Sequence, residues 1–597
     1  MNLFLSLLGK KDNTSKQWMF SNPFSLPNIP QVTLCFALFA ANTAALGASQ
    51  DGLSPKKPEP SLLEPSQQGA QDGVSPSFGK KSPHVPTGQT KRVKISSITI
   101  SGNKEYSSDE LLAVLTDKET GKLPLGRLTF DEIQALADKI TEFYRQNGYV
   151  VSQAVLPEQD VSNGHLTIKV VEGHVDSVRF GKTPNPDTDY KSVFEQNFKP
   201  ESGPIKKEDL NRALKLSAEA TGTHMTANIE AGTKPGGSNL VVDATALPRF
   251  FYGFGADNFG TKSLGVYRGT VFTGGNSWLV DGDRTRFEFA TTNEFDRSRR
   301  YDLSYALPLN ATGWSGGVRT WYTDYNLGGA FAASKTNGTA RAAEISANYA
   351  LQRATYGKSD FLTGYTYVAL ANQSLEQSND QRHVHTIWST LAGQYDSTFL
   401  TKNTRNNYSA TATVGNLEFD NAIQAASDKT GLKTNGTYAL INLSDNHEQI
   451  LVDTWSLFGS VRGQLASKNL DSYHKMSLGG STAVRAYASG ESSGDHAVIG
   501  TAELRYLYAF EVFGSPTSAR LSGFYDLGWS QINANPIAST TATSNTATRG
   551  GYGIELNLYW AETIGLQLFW AHIDNSYRQS DIDGKRSRLG VNLSGAF

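Results

Sequence analysis

The sequence has a single cysteine among its 597 residues, and this residue, Cys35, lies in a short apolar run near the N-terminus. A chain with no second thiol cannot form an internal disulfide, and a metal site would need histidine and carboxylate ligands. Charge imbalance is also missing, since 55 Lys and Arg residues nearly match 57 Asp and Glu residues. Nucleic-acid binding depends on neutralising phosphates with a basic surface, so the composition predicts no nucleic-acid partner.

Other absences narrow the function further. There is no Gly-x-x-x-x-Gly-Lys-Ser/Thr loop, so no nucleotide partner and no cofactor are predicted. The string from Gly490 to Gly494 fits the Gly-x-Ser-x-Gly pattern of hydrolases, but no helix is predicted after it, and we expect no enzyme. His383 and His385 share a strand face without further ligands nearby, so no metal site is predicted.

The N-terminal region has the pattern of an exported protein. Residues 1–48 predict a signal peptide, because Lys10 and Lys11 precede the apolar run 32–45 and small residues close that run. Cleavage is expected near Gly47 or Ala48. Residues 49–91 are rich in Pro, Gly and Ser and contain few apolar residues, which predicts a flexible linker.

Two stretches of similar length then share one order of elements: strand, helix, helix, strand, strand. They span residues 92–173 and 174–248, and they predict two small α+β modules in tandem. In the first module, Ser107 with Glu110 and Thr129 with Glu132 are capping boxes that predict the starts of both helices. One continuous α+β domain is the alternative.

After Pro248 the sequence predicts no amphipathic helix, and the apolar period becomes two. In one segment Ile554 and Leu556 alternate with Glu555 and Asn557, as expected for a strand with one apolar and one polar face. About sixteen such strands over residues 249–597 predict an antiparallel membrane β-barrel with an apolar exterior and a polar lumen. A soluble β-sandwich would alternate in the same way, but the signal peptide, the aromatic residues at strand ends and the C-terminal Phe597 favour the membrane.

Several motifs in this order resemble those of two-partner secretion transporters, which are the exporters of haemolysin and filamentous haemagglutinin within the outer-membrane assembly superfamily. The resemblance covers the chain from about Val93 to Phe597. It rests on Leu156-Pro157-Glu158-Gln159-Asp160, Val170-Val171-Glu172-Gly173, Val484-Arg485-Ala486-Tyr487, Glu503-Leu504-Arg505-Tyr506 and Phe524-Tyr525-Asp526-Leu527-Gly528.

The resemblance implies an outer-membrane protein of a Gram-negative bacterium, with two POTRA modules in the periplasm and a sixteen-stranded barrel in the lipid. It implies a long plug loop after the eleventh strand, at about residues 467–497, folded into the lumen. The implied partner is an unfolded exoprotein with an N-terminal secretion domain, which the modules capture and the barrel exports. A factor that assembles other outer-membrane barrels is the alternative.

Within the resemblance, a loop cation and a strand carboxylate are expected to meet. Strand parity turns Phe524 and Asp526 away from the apolar face of Leu521 and Leu527, and therefore into the lumen. The hypothesis is that Arg485 binds Asp526 and latches the loop; the alternative is that the pair only stabilises the barrel. The site residues of this hypothesis are Val484, Arg485, Ala486 and Tyr487 of the loop, and Phe524, Asp526 and Gly528 of the strand; most of the superfamily has Gly where Ala486 stands.

Overall fold

The computed structural model describes residues 73–75, 92–117, 119–200, 203–375, 380–399, 402–536, 544–575 and 585–597. The predicted signal peptide and most of the predicted linker lie outside these ranges. Within the linker region the structure has one short strand, β1 (Gly73–Ser75), which the sequence analysis did not predict.

No helix in the described part of the chain is long and apolar enough to span a membrane.

The first α/β module forms its helices where the capping boxes predict them. Ser107 and Thr129 each accept a hydrogen bond from the N–H three residues on, and Glu110 and Glu132 bond back to the cap residues. The predicted first strand is interrupted at Ser96, whose N–H donates to the Gly164 carbonyl at 2.7 Å. The elements are β2 (Arg92–Ile95), β3 (Ser97–Ser101), α1 (Ser108–Leu115), β4 (Gly126–Thr129), α2 (Phe130–Gln146), β5 (Gln153–Val155) and β6 (His165–Val171).

The second module has the predicted order strand, helix, helix, strand, strand, with no counterpart of β4 among its described residues, and it has its own hydrophobic core. Gly222, with φ of 65°, ends the long helix in the left-handed conformation that glycine adopts most easily. The elements are β7 (His174–Phe180), α3 (Tyr190–Glu195), α4 (Lys207–Thr221), β8 (Thr223–Ala231) and β9 (Gly237–Ala246). In the sheet the strands follow the order β1-β8-β9-β7, with β1 at the edge.

The two modules join through backbone hydrogen bonds and shared packing. The N–H groups of Ile205 and Lys207 donate to the carbonyls of Gly173 and Gly148 at 2.8 and 2.9 Å. Val150 and Val151, next to the first module's last strands, pack against the core of the second module. The interior of the second module therefore extends into the junction.

Sixteen antiparallel strands close into a barrel, as predicted, because the first strand pairs with the last. The strands before the long loop are β10 (Phe250–Asp257), β11 (Arg268–Asn276), β12 (Arg284–Thr292), β13 (Ser298–Pro308), β14 (Trp314–Asn326), β15 (Asn337–Ala354), β16 (Gly357–Gln373), β17 (Asp380–Phe399), β18 (Lys402–Phe419), β19 (Gly436–Val452) and β20 (Trp455–Ala466). After two short strands inside that loop, β21 (Met476–Ser477) and β22 (Ser493–Gly494), the barrel continues with β23 (His496–Val512), β24 (Ser515–Gln531), β25 (Thr546–Trp560), β26 (Ile564–Ile573) and β27 (Ser587–Ala596).

The barrel wall is apolar outside and polar inside, which confirms the reading of the period-two pattern. Ile345, Ile387 and Val414 are 61%, 63% and 57% exposed on the outer surface, whereas Arg382 and Thr386 of β17 are buried in the lumen. Apolar side chains exposed in such numbers are stable against hydrocarbon and not against water. One helix was not predicted: α5 (Ala422–Thr430) lies between β18 and β19, is capped by Asn421 and has no buried residue.

The second module is fixed to the barrel at the turn between β15 and β16. Arg353 is buried there, and its Nε lies 2.6 Å from Glu219 of α4 while its Nη2 lies 2.7 Å from Asp360 of β16. Lys215 of α4 donates to the Ala354 carbonyl at 2.7 Å. The second module therefore contacts the barrel through an ion pair to the buried Arg353 and a hydrogen bond, as well as through the covalent connection.

Candidate functional site

The loop between β20 and β23, residues 467–495, lies inside the barrel and is called the lumenal loop below. It follows the eleventh strand, as the resemblance implies. Its two arms pair as β21 and β22, and the Val484 N–H donates to the Leu478 carbonyl at 2.9 Å. Leu478, Val484 and Tyr487 are fully buried in one cluster with residues of the barrel wall. This part of the loop is packed like a protein core.

Arg485 and Asp526 are in contact. Asp526 is 0% exposed, and its carboxylate accepts from the Arg485 Nε at 2.9 Å, the Arg485 Nη2 at 2.8 Å and the Arg485 backbone N–H at 3.0 Å. Thr501 of β23 donates a fourth hydrogen bond at 2.9 Å. A planar guanidinium fits a carboxylate through two parallel bonds, which a lysine cannot make.

Arg485 also contacts two glutamates that the sequence analysis did not assign to the site. Its Nη2 lies 2.8 Å from Glu503 of β23, and its Nη1 donates to Glu555 of β25 at 2.9 Å. The guanidinium carbon stands 3.5 Å from the centroid of the Phe524 ring, a cation–π contact that covers one face of the cation. One loop arginine thus joins three neighbouring strands.

A second arginine completes the cluster on the wall. Arg505 Nε donates to Glu503 at 2.8 Å, and Asn557 donates to Glu555 at 2.7 Å. Two cations, Arg485 and Arg505, therefore face three buried carboxylates. Carboxylates taken out of water need both an opposite charge and hydrogen-bond partners, and Arg485 supplies both to these three acids.

Packing explains the remaining residues of the two motifs. A Cβ on Gly528 would lie 3.1 Å from Val484 Cγ2 and 3.2 Å from Leu478 Cδ2, so glycine lets the loop lie against β24. Ala486 does not have a positive φ, so alanine is unstrained at this position. A Cβ on Gly551 would stand 2.5 Å from that of Ala486, so β25 provides the space that the alanine methyl needs.

Tyr487 is held from a different part of the barrel. Arg588 of β27 donates to the Tyr487 carbonyl at 2.6 Å. The guanidinium of Arg549 lies 5.7 Å from the Tyr487 ring centroid. The four residues 484–487 therefore contact strands from β23 to β27, which form one side of the lumen.

The beginning of the lumenal loop is anchored to a different part of the wall, at β17. Asp471 lies 2.8 Å from the Nε of Arg382 on β17, and Arg382 also donates to Asp380 at 2.9 Å. Nearby, Lys475 lies 3.1 Å from Asp495, whose carboxylate also accepts from the N–H groups of Leu470 and Ala534. The loop thus spans the lumen between two ion-pair clusters.

The sequence contained a signal for some of the additional residues. Glu503 and Glu555 alternate with outward apolar neighbours, so parity places both in the lumen, as it does Asp526. Arg382 and Asp471 are separated by 89 positions. Only the closure of the barrel brings them together, and no local pattern predicts their contact.

The other motif residues lie away from this cluster. Ser492 has φ of 58° and stands just before β22, in a turn that leads to a strand and not to a helix. The Nδ1 atom of His383 lies within hydrogen-bond distance of the Tyr367 hydroxyl, and that of His385 lies equally close to the Tyr365 hydroxyl, at 2.7 Å in both pairs. Within the described residues, no group of three or more His, Cys, Asp or Glu residues could hold a metal ion.

Two parts of the chain match models of known protein families. Residues 236–555 match the family model of the haemolysin secretion/activation proteins ShlB, FhaC and HecB. The chain belongs to this family. Residues 93–173 match the POTRA domain of the ShlB type.

Individual relatives agree with this membership. The heme/hemopexin transporter protein HuxB of Haemophilus influenzae is 27% identical over 80% of this chain and 83% of its own length. The outer membrane transporter CdiB of Dickeya dadantii is 21% identical over 65% of this chain and 68% of its own length. The solved structure of CdiB from Escherichia coli has a TM-score of 0.64 and 19% identity, covering 88% of this chain and 94% of that one, which shows a common fold.

Membership in the family confirms the prediction of a two-partner secretion translocator over that of a barrel-assembly factor. The barrel lies in the outer membrane and the POTRA region in the periplasm. The family consists of transporters that pair with secreted exoproteins.

Proposed function

We propose that the lumenal loop is the movable plug of this translocator, and that Arg485 is the latch that fixes it against β23, β24 and β25. The observation that carries this proposal is the three-carboxylate site around one loop arginine. The partner is an unfolded exoprotein that enters through its N-terminal secretion domain. Its path is the polar lumen that the loop now occupies.

The free energy of the ion-pair cluster fits a contact that can open better than one that only stabilises the barrel. Burying ion pairs costs desolvation energy that their attraction only partly repays, whereas removing one partner of a buried pair costs about 3–5 kcal/mol. The lumen is polar, so water that enters when the loop moves can solvate Asp526, Glu503 and Glu555. The remaining cost of releasing the loop is the separation of Leu478, Val484 and Tyr487 from the apolar wall residues that they pack against.

The N-terminal modules are proposed to act before the barrel. Their connection through Arg353, Glu219 and Asp360 places the second module against a barrel turn. A polypeptide bound to that module is thereby held next to the lumen entrance. Transport requires neither nucleotide nor cofactor nor a catalytic residue in this proposal, and folding of the partner outside makes passage irreversible.

Secretion of a candidate exoprotein that carries an N-terminal secretion domain and is produced together with this chain tests the function. Cells that contain both proteins are expected to release the partner into the medium, and cells without this chain are expected to retain it. Equal release in both strains would overturn the assignment of that partner. Loss of barrel insertion in the same strains is checked separately by the shift in gel mobility of folded barrels on heating.

A further inference from the structure

One arginine on the lipid-facing side of the barrel has no acidic partner. Arg341 of β15 is exposed and has the outward parity of Ile345, which is 61% exposed on the outer surface. Its guanidinium carbon lies 5.7 Å from the centroid of the Tyr322 ring on β14. No ion pair or hydrogen bond joins this guanidinium to another described residue. Its N–H donors are therefore available on the membrane side of the wall.

Arg341 lies towards the extracellular rim of the barrel. β10 starts on the periplasmic side, directly after the second module, so β15, the sixth strand, runs from the extracellular rim at Asn337 towards the periplasm. Arg341 is the fifth residue of this strand, and Ala343 and Ile345 follow it on the same face. A charged side chain thus gives way to apolar ones, as expected where the headgroups of the outer leaflet meet its acyl chains.

The acids on this side of the barrel have partners of their own. Asp324 is the one near Arg341, because it faces Thr339, two positions before Arg341. The pairs are Asp324 with the Nε of Arg299 at 3.0 Å, Asp420 with the Nε2 of His383 at 3.0 Å and Glu418 with the Nδ2 of Asn416 at 2.6 Å. The outer face therefore suits an anion from outside the chain at Arg341.

A recess next to Arg341 has room for a headgroup. In register, Arg341 faces Ala369 of β16, and Ala369 faces His383 of β17. The far wall is rigid, since the Nδ1 of His383 lies 2.7 Å from the Tyr367 hydroxyl and the two rings stack at 5.5 Å. From Tyr322 to His383 the recess spans three strand spacings, about 14 Å. Its floor is the methyl group of one alanine.

We propose that this recess binds the phosphorylated glucosamine headgroup of the outer-leaflet glycolipid. Arg341 binds the phosphate through paired N–H donors, the geometry in which a guanidinium holds an oxyanion. His383 and Tyr367 face the sugar, and Ala343 and Ile345 contact the acyl chains. Free phosphate would use only the first of these contacts, which favours the lipid. The site lies on the outer face of the barrel and does not depend on the proposed function.

Glycolipid that stays bound to the full-length transporter during purification in mild detergent tests the inference. The variants are Arg341→Ala and Arg341→Lys, and the control is Arg405→Ala, at an exposed arginine near the periplasmic end of β18 that pairs with Asp396 at 3.2 Å. By native mass spectrometry we expect the parent chain and Arg405→Ala to retain one glycolipid. Arg341→Ala is expected to retain at least about fivefold less, with Arg341→Lys between them, because lysine lacks the paired donors.

Three results overturn the inference. The parent chain could purify without glycolipid, Arg341→Ala could retain as much as the parent, or Arg405→Ala could lose as much as Arg341→Ala. The last result would mean that retention follows the overall charge of the barrel and not the recess.

Thermal unfolding separates the lipid from free phosphate and lost binding from lost folding. Heat-modifiable gel mobility first shows that each variant is folded. The probes are lipid A, lipid A without its phosphates, and inorganic phosphate, each added to delipidated transporter. Because a ligand of the folded state raises the unfolding temperature, we expect a rise with lipid A in the parent and in Arg405→Ala, and less than half of it in Arg341→Ala.

The phosphate-free lipid is expected to raise the unfolding temperature of the parent chain much less than lipid A does. An equal rise with the two lipids would overturn the role of Arg341 as the phosphate ligand, and this comparison holds even if Arg341→Ala does not fold. A rise with inorganic phosphate as large as that with lipid A would overturn the assignment to a glycolipid.

Discussion

The lumenal loop is anchored at two places, the Arg485 end and the Asp471 end, by the same kind of bond with opposite polarity. At one end the loop supplies the cation, Arg485, and the wall supplies three carboxylates. At the other end the loop supplies the carboxylate, Asp471, and the wall supplies Arg382. Because each end repels the wall charges of the other, the loop has one electrostatically allowed orientation in the lumen.

The ends differ in how much depends on each anchor. Asp526 is held by four donors, three of them from Arg485, and the two glutamates also face this cation. Arg382 keeps Asp380 as a partner when Asp471 is absent, and Asp471 is only one of its two acids. The Arg485 end is therefore a cooperative latch, whereas the Asp471 end is a local tether.

The largest effect is expected from Arg485→Ala. It leaves three buried carboxylates without their shared cation, a loss of about 3–5 kcal/mol for a buried pair. We expect secretion to fall at least tenfold while the heat-modifiable barrel still accumulates in the outer membrane. Arg485→Lys keeps the charge but not the paired bonds, and is expected to fall between Arg485→Ala and the parent chain. If insertion falls as much as secretion, the arginine only stabilises the barrel.

A steric change at the same end is expected to have the next largest effect. Gly528→Val adds a branched side chain where even a Cβ would lie 3.1 Å from Val484 and 3.2 Å from Leu478. Overpacking of this kind costs about 1–3 kcal/mol and moves the loop from β24. We expect reduced secretion and larger single-channel conductance in planar bilayers.

Gly523 offers a matched control on the same strand. An added Cβ there has no atom within 4 Å, and the residue faces outward. Gly523→Val is expected to leave both conductance and secretion unchanged. A similar change in both variants would mean that β24 itself, and not its contact with the loop, is sensitive to a branched residue.

The tether is expected to respond more weakly than the latch. Asp471→Asn removes the charge but keeps an oxygen that can accept from the Tyr473 N–H, now at 2.9 Å. We expect a conductance increase with secretion reduced only about two- to fourfold, since Arg382 keeps its hydrogen bond to Asp380 at 2.9 Å and the asparagine carbonyl can still accept from the guanidinium. Asp526→Asn, the same substitution at the other end, is the comparison. Equal losses in the two variants would show that the ends are not different.

Sequence reasoning reached the Arg485 end and missed the Asp471 end for a physical reason. Parity along one strand is enough to turn Asp526 into the lumen, and the same rule applies to Glu503 and Glu555. Arg382 and Asp471 meet only because sixteen strands close into a ring and the loop crosses it. The strand β1 was missed for a similar reason, since three residues in a Pro- and Gly-rich region form a strand only against the edge of β8.

The smallest effect is expected from Lys475→Met at the tethered end. Lys475 lies 3.1 Å from Asp495, but that carboxylate also accepts from the N–H of Leu470 at 3.1 Å and of Ala534 at 2.8 Å. Two backbone donors keep this carboxylate in place without the lysine. We expect less than a twofold change in secretion and conductance. A loss as large as that of Arg485→Ala would move the latch to this end of the loop, and Arg485 would then hold a segment that does not need to move.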